Sequence, residues 1–292
     1  MIPQDFSAFL SSLETLDLAI HQVMTGLFGG TRPSPLYGSS PEFADFRDYL
    51  PGDDPRRIDW NLAARFDKHY IRQFVDERQL KNIVYLDTSA SMGMNRQKEI
   101  LAKQLAASMA FIAIENMDQV KLNALAGSHC RTICEKIVGR EAFYASMEAL
   151  YALPFQGTCD LAAAIRNDPE QPGRNGISIL ISDFLTDSDW KSAVEEWRIR
   201  GRQVALIQVL AEEEENPLSR GRYQLTDIET SDSARLEIDH SMLLAYRQAV
   251  AETRREIADF CASRSIVFVT ASSGESPESV ILKKGLSAGL IR

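Results

Sequence analysis

The pattern of apolar and polar positions changes character near residue 80. Upstream, Phe6, Phe9, Leu10, Leu13, Leu16, Leu18, Ile20, Val23 and Leu27 recur at spacings of mostly three and four, which predicts an amphipathic helix over residues 6–27 ended by Gly29 and Gly30. Pro33, Pro35, Pro41, Pro51 and Pro55 then interrupt the chain too often for a long helix, so residues 31–55 are expected to form turns and short extended pieces. Residues 58–65 suit one or two helical turns, and residues 70–76 an exposed strand. Downstream, short apolar runs at 83–86, 177–181 and 204–210 predict strands, the first two buried on both faces, and helical patterns over 98–114, 141–153 and 189–200 alternate with them. Residues 120–125 alternate apolar and polar, which predicts a half-buried strand, with 131–138 as an antiparallel neighbour across the turn at 126–129. A long helix over 241–262, a strand over 266–269 and a terminal helix over 277–284 complete an α/β pattern with a mostly parallel sheet. The expected organisation is an N-terminal extension, 1–78, followed by an α/β domain, 79–292.

Composition narrows the function classes. With 32 Lys+Arg against 41 Asp+Glu the 292-residue chain carries a formal charge of −9, which argues against a nucleic-acid binder that must neutralise phosphates. No run approaches the roughly 18 apolar residues of a membrane span. The first thirty residues carry Asp5, Glu14 and Asp17 without Lys or Arg, unlike a secretory signal. Cys130, Cys134, Cys159 and Cys261 form no C-x-x-C pair, so they read as reduced, buried thiols, and a cytoplasmic location is expected. Cys130 and Cys134 are expected on one strand face, and the acidic run 212–215 as a solvated loop.

Ligands of open parallel sheets bind beyond the carboxyl ends of the strands. The first buried strand ends in Asp87-Thr88-Ser89-Ala90-Ser91, the run 177–181 ends in Ser182-Asp183, and between them Gln156-Gly157-Thr158 leads into a helix. Asp87, Ser89, Ser91, Thr158 and Asp183 together offer five oxygen-bearing side chains, the donor type that Mg²⁺ or Mn²⁺ requires. Each alone also reads as a helix N-cap. Asp187 and Asp189 read as acidic capping at a helix start, and His21, His69, His129 and His240 lie in no catalytic motif.

Residues 81–93 resemble the first metal loop of von Willebrand factor A domains, whose metal-ion-dependent adhesion site (MIDAS) uses D-x-S-x-S, a Thr and a second Asp. Upstream, Glu42-Phe43-Ala44-Asp45-Phe46-Arg47-Asp48-Tyr49 and Pro51-Gly52-Asp53-Asp54-Pro55-Arg56-Arg57-Ile58-Asp59-Trp60 are similar to the signature of the bacterial domain-of-unknown-function family 58, as are Leu225-Thr226-Asp227-Ile228-Glu229-Thr230 and Tyr246. The resemblance implies a von Willebrand A-like, doubly wound sheet with Asp87, Ser89, Ser91, Thr158 and Asp183 at a Mg²⁺ or Mn²⁺ site. It further implies a non-enzymatic protein-interaction module that works with a MoxR-type AAA+ ATPase in chaperone-like assembly or maturation of other complexes. A metal-dependent phosphoesterase is the alternative, since the same oxygen-ligated ion can activate water. The segment 51–65 reads either as a turn and capped helix with internal ion pairs or as a partner surface.

Overall fold

In a computed structural model of the chain, the described residues are 4–14, 18, 42–49, 58–66, 68–75, 80–170, 172–173, 176–215, 221–226, 233–238 and 240–292. In chain order the elements are α1 (Gln4–Ser12), β1 (Glu42–Asp48), α2 (Trp60–Phe66), β2 (Tyr70–Val75), β3 (Lys81–Asp87), α3 (Ala90–Gly93), α4 (Arg96–Glu115), β4 (Gln119–Ala126), β5 (His129–Ile137), α5 (Gly139–Tyr151) and α6 (Leu161–Arg166). They continue as β6 (Ile177–Ser182), α7 (Trp190–Ile199), β7 (Gln203–Leu210), α8 (Glu212–Glu215), β8 (Gly221–Thr226), β9 (Ser233–Ile238), α9 (His240–Ala262), β10 (Val267–Ser272) and α10 (Pro277–Ser279), with a π-helical turn at Val280–Gly285.

The chain divides into two compact units, one comprising Met1–Leu27 with Leu80–Arg292 and the other Phe28–Gln79. This grouping differs from the expected division into 1–78 and 79–292 at the N terminus. Phe6, Phe9 and Leu10 of α1, with Leu13 just beyond it, are buried in the same core as the sheet, so the apolar face of that helix is satisfied by the larger unit. Ser12 ends α1, and most of the rest of the expected 6–27 helix lies outside the described residues.

The larger unit is built on a six-stranded sheet of order β10-β7-β6-β3-β4-β5, parallel except for β5. β6 is buried along its whole length, and so is β3 after its first residue, because helices cover both faces. One face packs Val84, Leu86, Ile179 and Ile181 against α4 and α5; the other packs Ile83, Tyr85 and Leu180 against α6, α7 and the end of α9. From β3 the chain first adds β4 and β5 on one side, then returns to place β6, β7 and β10 on the other. The carboxyl end of β3 therefore lies at the topological switch point, the place where open α/β sheets generally bind ligands.

Two strand expectations need correction. β4 is not half-buried: Lys121 and Asn123 point into the protein, where Asp168 accepts from Lys121 Nζ at 3.2 Å, from Asn123 Nδ2 at 3.2 Å and from the Tyr85 hydroxyl at 2.7 Å. Cys130 and Cys134 do not share a face, since Cys130 packs on the Tyr85 side and Cys134 on the Val84 side. Irregular β4–β5 register between Val120 and Asn123 accounts for this, because an extra residue reverses the alternation. All four cysteines are free, with Cys159 and Cys261 buried and Cys130 and Cys134 half-buried.

In the smaller unit β1 and β2 pair antiparallel. Asp59 starts α2, its carboxylate accepting the Leu62 N–H at 3.2 Å, so this part of the 51–65 segment is a capped helix. Trp60 and Phe66 of α2 are exposed, and His69 meets the Trp60 ring edge-on at 6.0 Å between centroids. Asp53, Asp54, Arg56 and Arg57 lie outside the described residues. Among the described residues no helix is long and apolar enough to cross a membrane.

Candidate metal centre

β3 and β6 are adjacent and parallel, so their ends bring Asp87 and Asp183 to one place. Asp87 is buried; its Oδ1 accepts the Ser89 N–H at 2.9 Å and its Oδ2 accepts the Ser182 hydroxyl at 2.6 Å. Burial and the neighbouring Asp183 carboxylate push the Asp87 pKa up to about 6 against the lowering effect of these hydrogen bonds. Asp183 is also buried, with Oδ1 accepting the Leu185 N–H at 3.0 Å and its main-chain carbonyl accepting from Gln208 at 3.0 Å. Phe184, the next residue, has φ +58°, an unusual backbone for a bulky side chain. Its N–H bonds to the Ser182 hydroxyl at 3.1 Å and its ring packs against Trp190, which together hold the turn that aims Asp183.

Ser89 occupies the N-cap position of α3 but makes no capping bond; its Oγ lies 3.0 Å from Ser91 Oγ instead. The ordinary explanation for a serine at this position thus does not account for either hydroxyl. Ser89 is buried, more than a loop position suggests, and Ser91 half-buried. Thr158 is exposed on a neighbouring loop that is stitched to the first by main-chain bonds from Ala90 N to Gly157 O at 2.8 Å and from Gln156 N to Thr88 O at 2.9 Å. The Thr158 carbonyl also accepts the Gly127 N–H at 2.8 Å. α6 is capped by Asp160, whose carboxylate takes the Ala163 N–H at 3.1 Å and the Ser188 hydroxyl at 2.6 Å. Asp189 caps α7 by accepting from Ser192 N, in line with the capping reading of that residue.

Three participants were not legible in the sequence. Ser182 is the strand residue before Asp183 and fixes Asp87. Lys98 of α4 reaches back, fully buried, to place Nζ 2.9 Å from Asp183 Oδ2 and 3.1 Å from the Ser91 carbonyl. Glu214 receives the same ammonium at 2.9 Å on each carboxylate oxygen. The run 212–215 is accordingly a helical turn with Glu214 buried, which corrects the expectation of a solvated loop. The partner charge on Lys98 offsets the desolvation that would keep Glu214 out of the interior.

The residues fit a hard divalent cation. The donors at this strand end are carboxylate and hydroxyl oxygens, and the repulsion between Asp87 and Asp183 is what added positive charge would relieve. Among the described residues no group of three or more His, Cys, Asp or Glu side chains is arranged to hold an ion.

The family profile described as "Protein of unknown function DUF58" matches residues 45–256. The chain belongs to the DUF58 family. A relative, the uncharacterized protein Rv1480 of Mycobacterium tuberculosis, is 28% identical over 257 residues, covering 85% of this chain and 80% of its own length. Among solved structures, the conserved hypothetical protein BatB from Bacteroides thetaiotaomicron is similar at a TM-score of 0.43 and 17% identity, over 72% of this chain and 98% of that one. A von Willebrand factor type A protein from Catenulispora acidiphila is similar at a TM-score of 0.40 and 13% identity, over 88% of this chain and 52% of that one.

Proposed function

We propose that this DUF58 protein is a non-enzymatic, divalent-metal-dependent protein-interaction module in which Asp87, Ser89, Ser91, Thr158 and Asp183 hold Mg²⁺ or Mn²⁺. The observation that carries the reading is the hydroxyl pair Ser89–Ser91, free of capping duty beside two buried carboxylates at the switch point of the sheet. The bound ion supplies positive charge through which a partner carboxylate can approach a protein of net charge −9. Ser182 and the Ser89 N–H orient Asp87, while the turn at Phe184 orients Asp183. The partner in this reading is a MoxR-type AAA+ ATPase, with a client complex that the pair assembles or matures in the cytoplasm; its support is the family resemblance of the D-x-S-x-S loop and the Pro51-to-Trp60 motif. The test is co-purification from native extract with the full chain as bait, in Mg²⁺ and in chelator, for wild type and Asp183→Ala. Capture of an AAA+ ATPase only by wild type and only in Mg²⁺ is expected; equal capture in all arms would refute metal-mediated contact.

A further inference from the structure

Buried ion pairs often contribute no more to stability than hydrophobic replacements of like volume, so stability alone does not explain the ion cluster of Lys98, Asp183 and Glu214 beside the candidate metal site. Its connections are specific. Each of the three ammonium donors of Lys98 is used, on Asp183, Glu214 and the Ser91 carbonyl. Glu214 Oε2 also accepts the Ala211 N–H at 2.7 Å. Asn95, the N-cap of α4, donates to Glu213 at 3.1 Å, so α8 is pinned to the turn that carries Lys98. When ionised, Asp183 and Glu214 on the Lys98 ammonium and Asp87 beside Asp183 carry three negative charges against one positive, leaving two, matched in size by the charge of one divalent cation.

We propose that Lys98 is a tethered internal cation that competes with the metal for the Asp183 carboxylate, and that Glu214 is the counterion that retains Lys98 when Asp183 is given up. Lys98 and Glu214 are then positioning residues that set the affinity and valence preference of the site. The inference rests on the metal reading above. It makes the two residues act in opposite directions: Lys98→Met removes the competitor and adds net negative charge, whereas Glu214→Gln leaves Asp183 as the one acidic partner of Lys98 among the described residues and removes a negative charge.

The test is titration of the full-length protein with Mn²⁺ and, separately, Tb³⁺, for wild type, Asp183→Asn, Lys98→Met, Glu214→Gln and the double variant Lys98→Met/Glu214→Gln, each checked by thermal melting. Expected are Mn²⁺ affinity about tenfold tighter for Lys98→Met and about tenfold weaker for Glu214→Gln, because charge count tunes such sites. Tb³⁺ gains more than Mn²⁺ in Lys98→Met. The double variant keeps the wild-type net charge and leaves two buried carboxylates, Asp87 and Asp183, where Lys98→Met leaves three without the ammonium, so it folds even where Lys98→Met does not, and it binds Mn²⁺ at least as tightly as wild type. Weaker binding by both the double variant and Glu214→Gln would overturn the competitor role while leaving the metal site intact. Equal, negligible binding by wild type and Asp183→Asn would instead overturn the metal reading itself and this inference with it.

Discussion

Ser182 on β6 donates its hydroxyl proton to Asp87 on β3 across 2.6 Å, in the interior, one residue before Asp183. The two strands that carry the site's carboxylates are therefore cross-linked by a short charge-assisted bond. A Ser182→Ala variant should lose about 2 kcal/mol of stability at neutral pH, the usual contribution of a hydrogen bond to a charged group. Urea unfolding reads this directly, and the variant should titrate Asp87 at a higher pH than wild type.

Asp87 also makes stability depend on pH. Its folded pKa of about 6 lies above the value of about 3.9 for an unfolded Asp, so between these limits the folded state holds a proton that the unfolded state has released. The stabilisation from this group is complete below pH ~4 and is lost as pH rises to ~6, a change of about 3 kcal/mol. Urea melts of metal-free protein across this range should show the decline in wild type and a flatter profile in Asp87→Asn. Parallel profiles would contradict the burial of an ionising Asp87.

The hydroxyls should matter more for binding than for stability. Ser89→Ala with Ser91→Ala removes a hydroxyl pair that caps nothing, so the loss should be about 1 kcal/mol, read by thermal melting. Affinity for the Mg²⁺-dependent partner should fall well beyond that, as measured on the same preparation.

Gly93 tests how the Thr158 loop is held. A Cβ on Gly93 would lie 2.6 Å from Phe155 Cβ and 3.1 Å from the Phe155 carbonyl oxygen, at the start of that loop. Gly93→Ala should destabilise by about 1–3 kcal/mol, the cost of overpacking, and should weaken Mn²⁺ binding by displacing the loop.

Much of this architecture is legible in the sequence because continuous apolar runs such as Ile177-to-Ile181 admit few other readings. The unread parts share a physical cause. Lys121 and Asn123 look like a solvated face in a period-two pattern, yet a carboxylate from a distant loop, Asp168, makes their burial tolerable. Lys98 meets Asp183 across 85 residues and Glu214 across 116, and nothing local distinguishes Glu214 from its three acidic neighbours. Asp87, Ser89, Ser91 and Asp183 are readable because strand ends announce them; the groups that orient them come from tertiary packing.

The Asp168 cluster supplies a contrast with the site. Asp168→Ala would leave the Lys121 ammonium buried without this carboxylate and strip the Tyr85 hydroxyl of its acceptor, for a loss of about 3–5 kcal/mol in urea unfolding. Mn²⁺ binding by the folded fraction should remain at the wild-type level, since Lys121, Asn123 and Tyr85, the side chains that Asp168 holds, lie outside the candidate metal set.

The most direct measurement of the central claim is titration calorimetry of Mn²⁺ into full-length protein, wild type against Asp87→Ala and Asp183→Ala, at a pH above 7. One weak site per chain in wild type, strengthened by the captured partner and absent from both variants, is the predicted result. Binding that is the same in all three proteins, or absent from wild type at millimolar Mn²⁺ with the partner present, would contradict it.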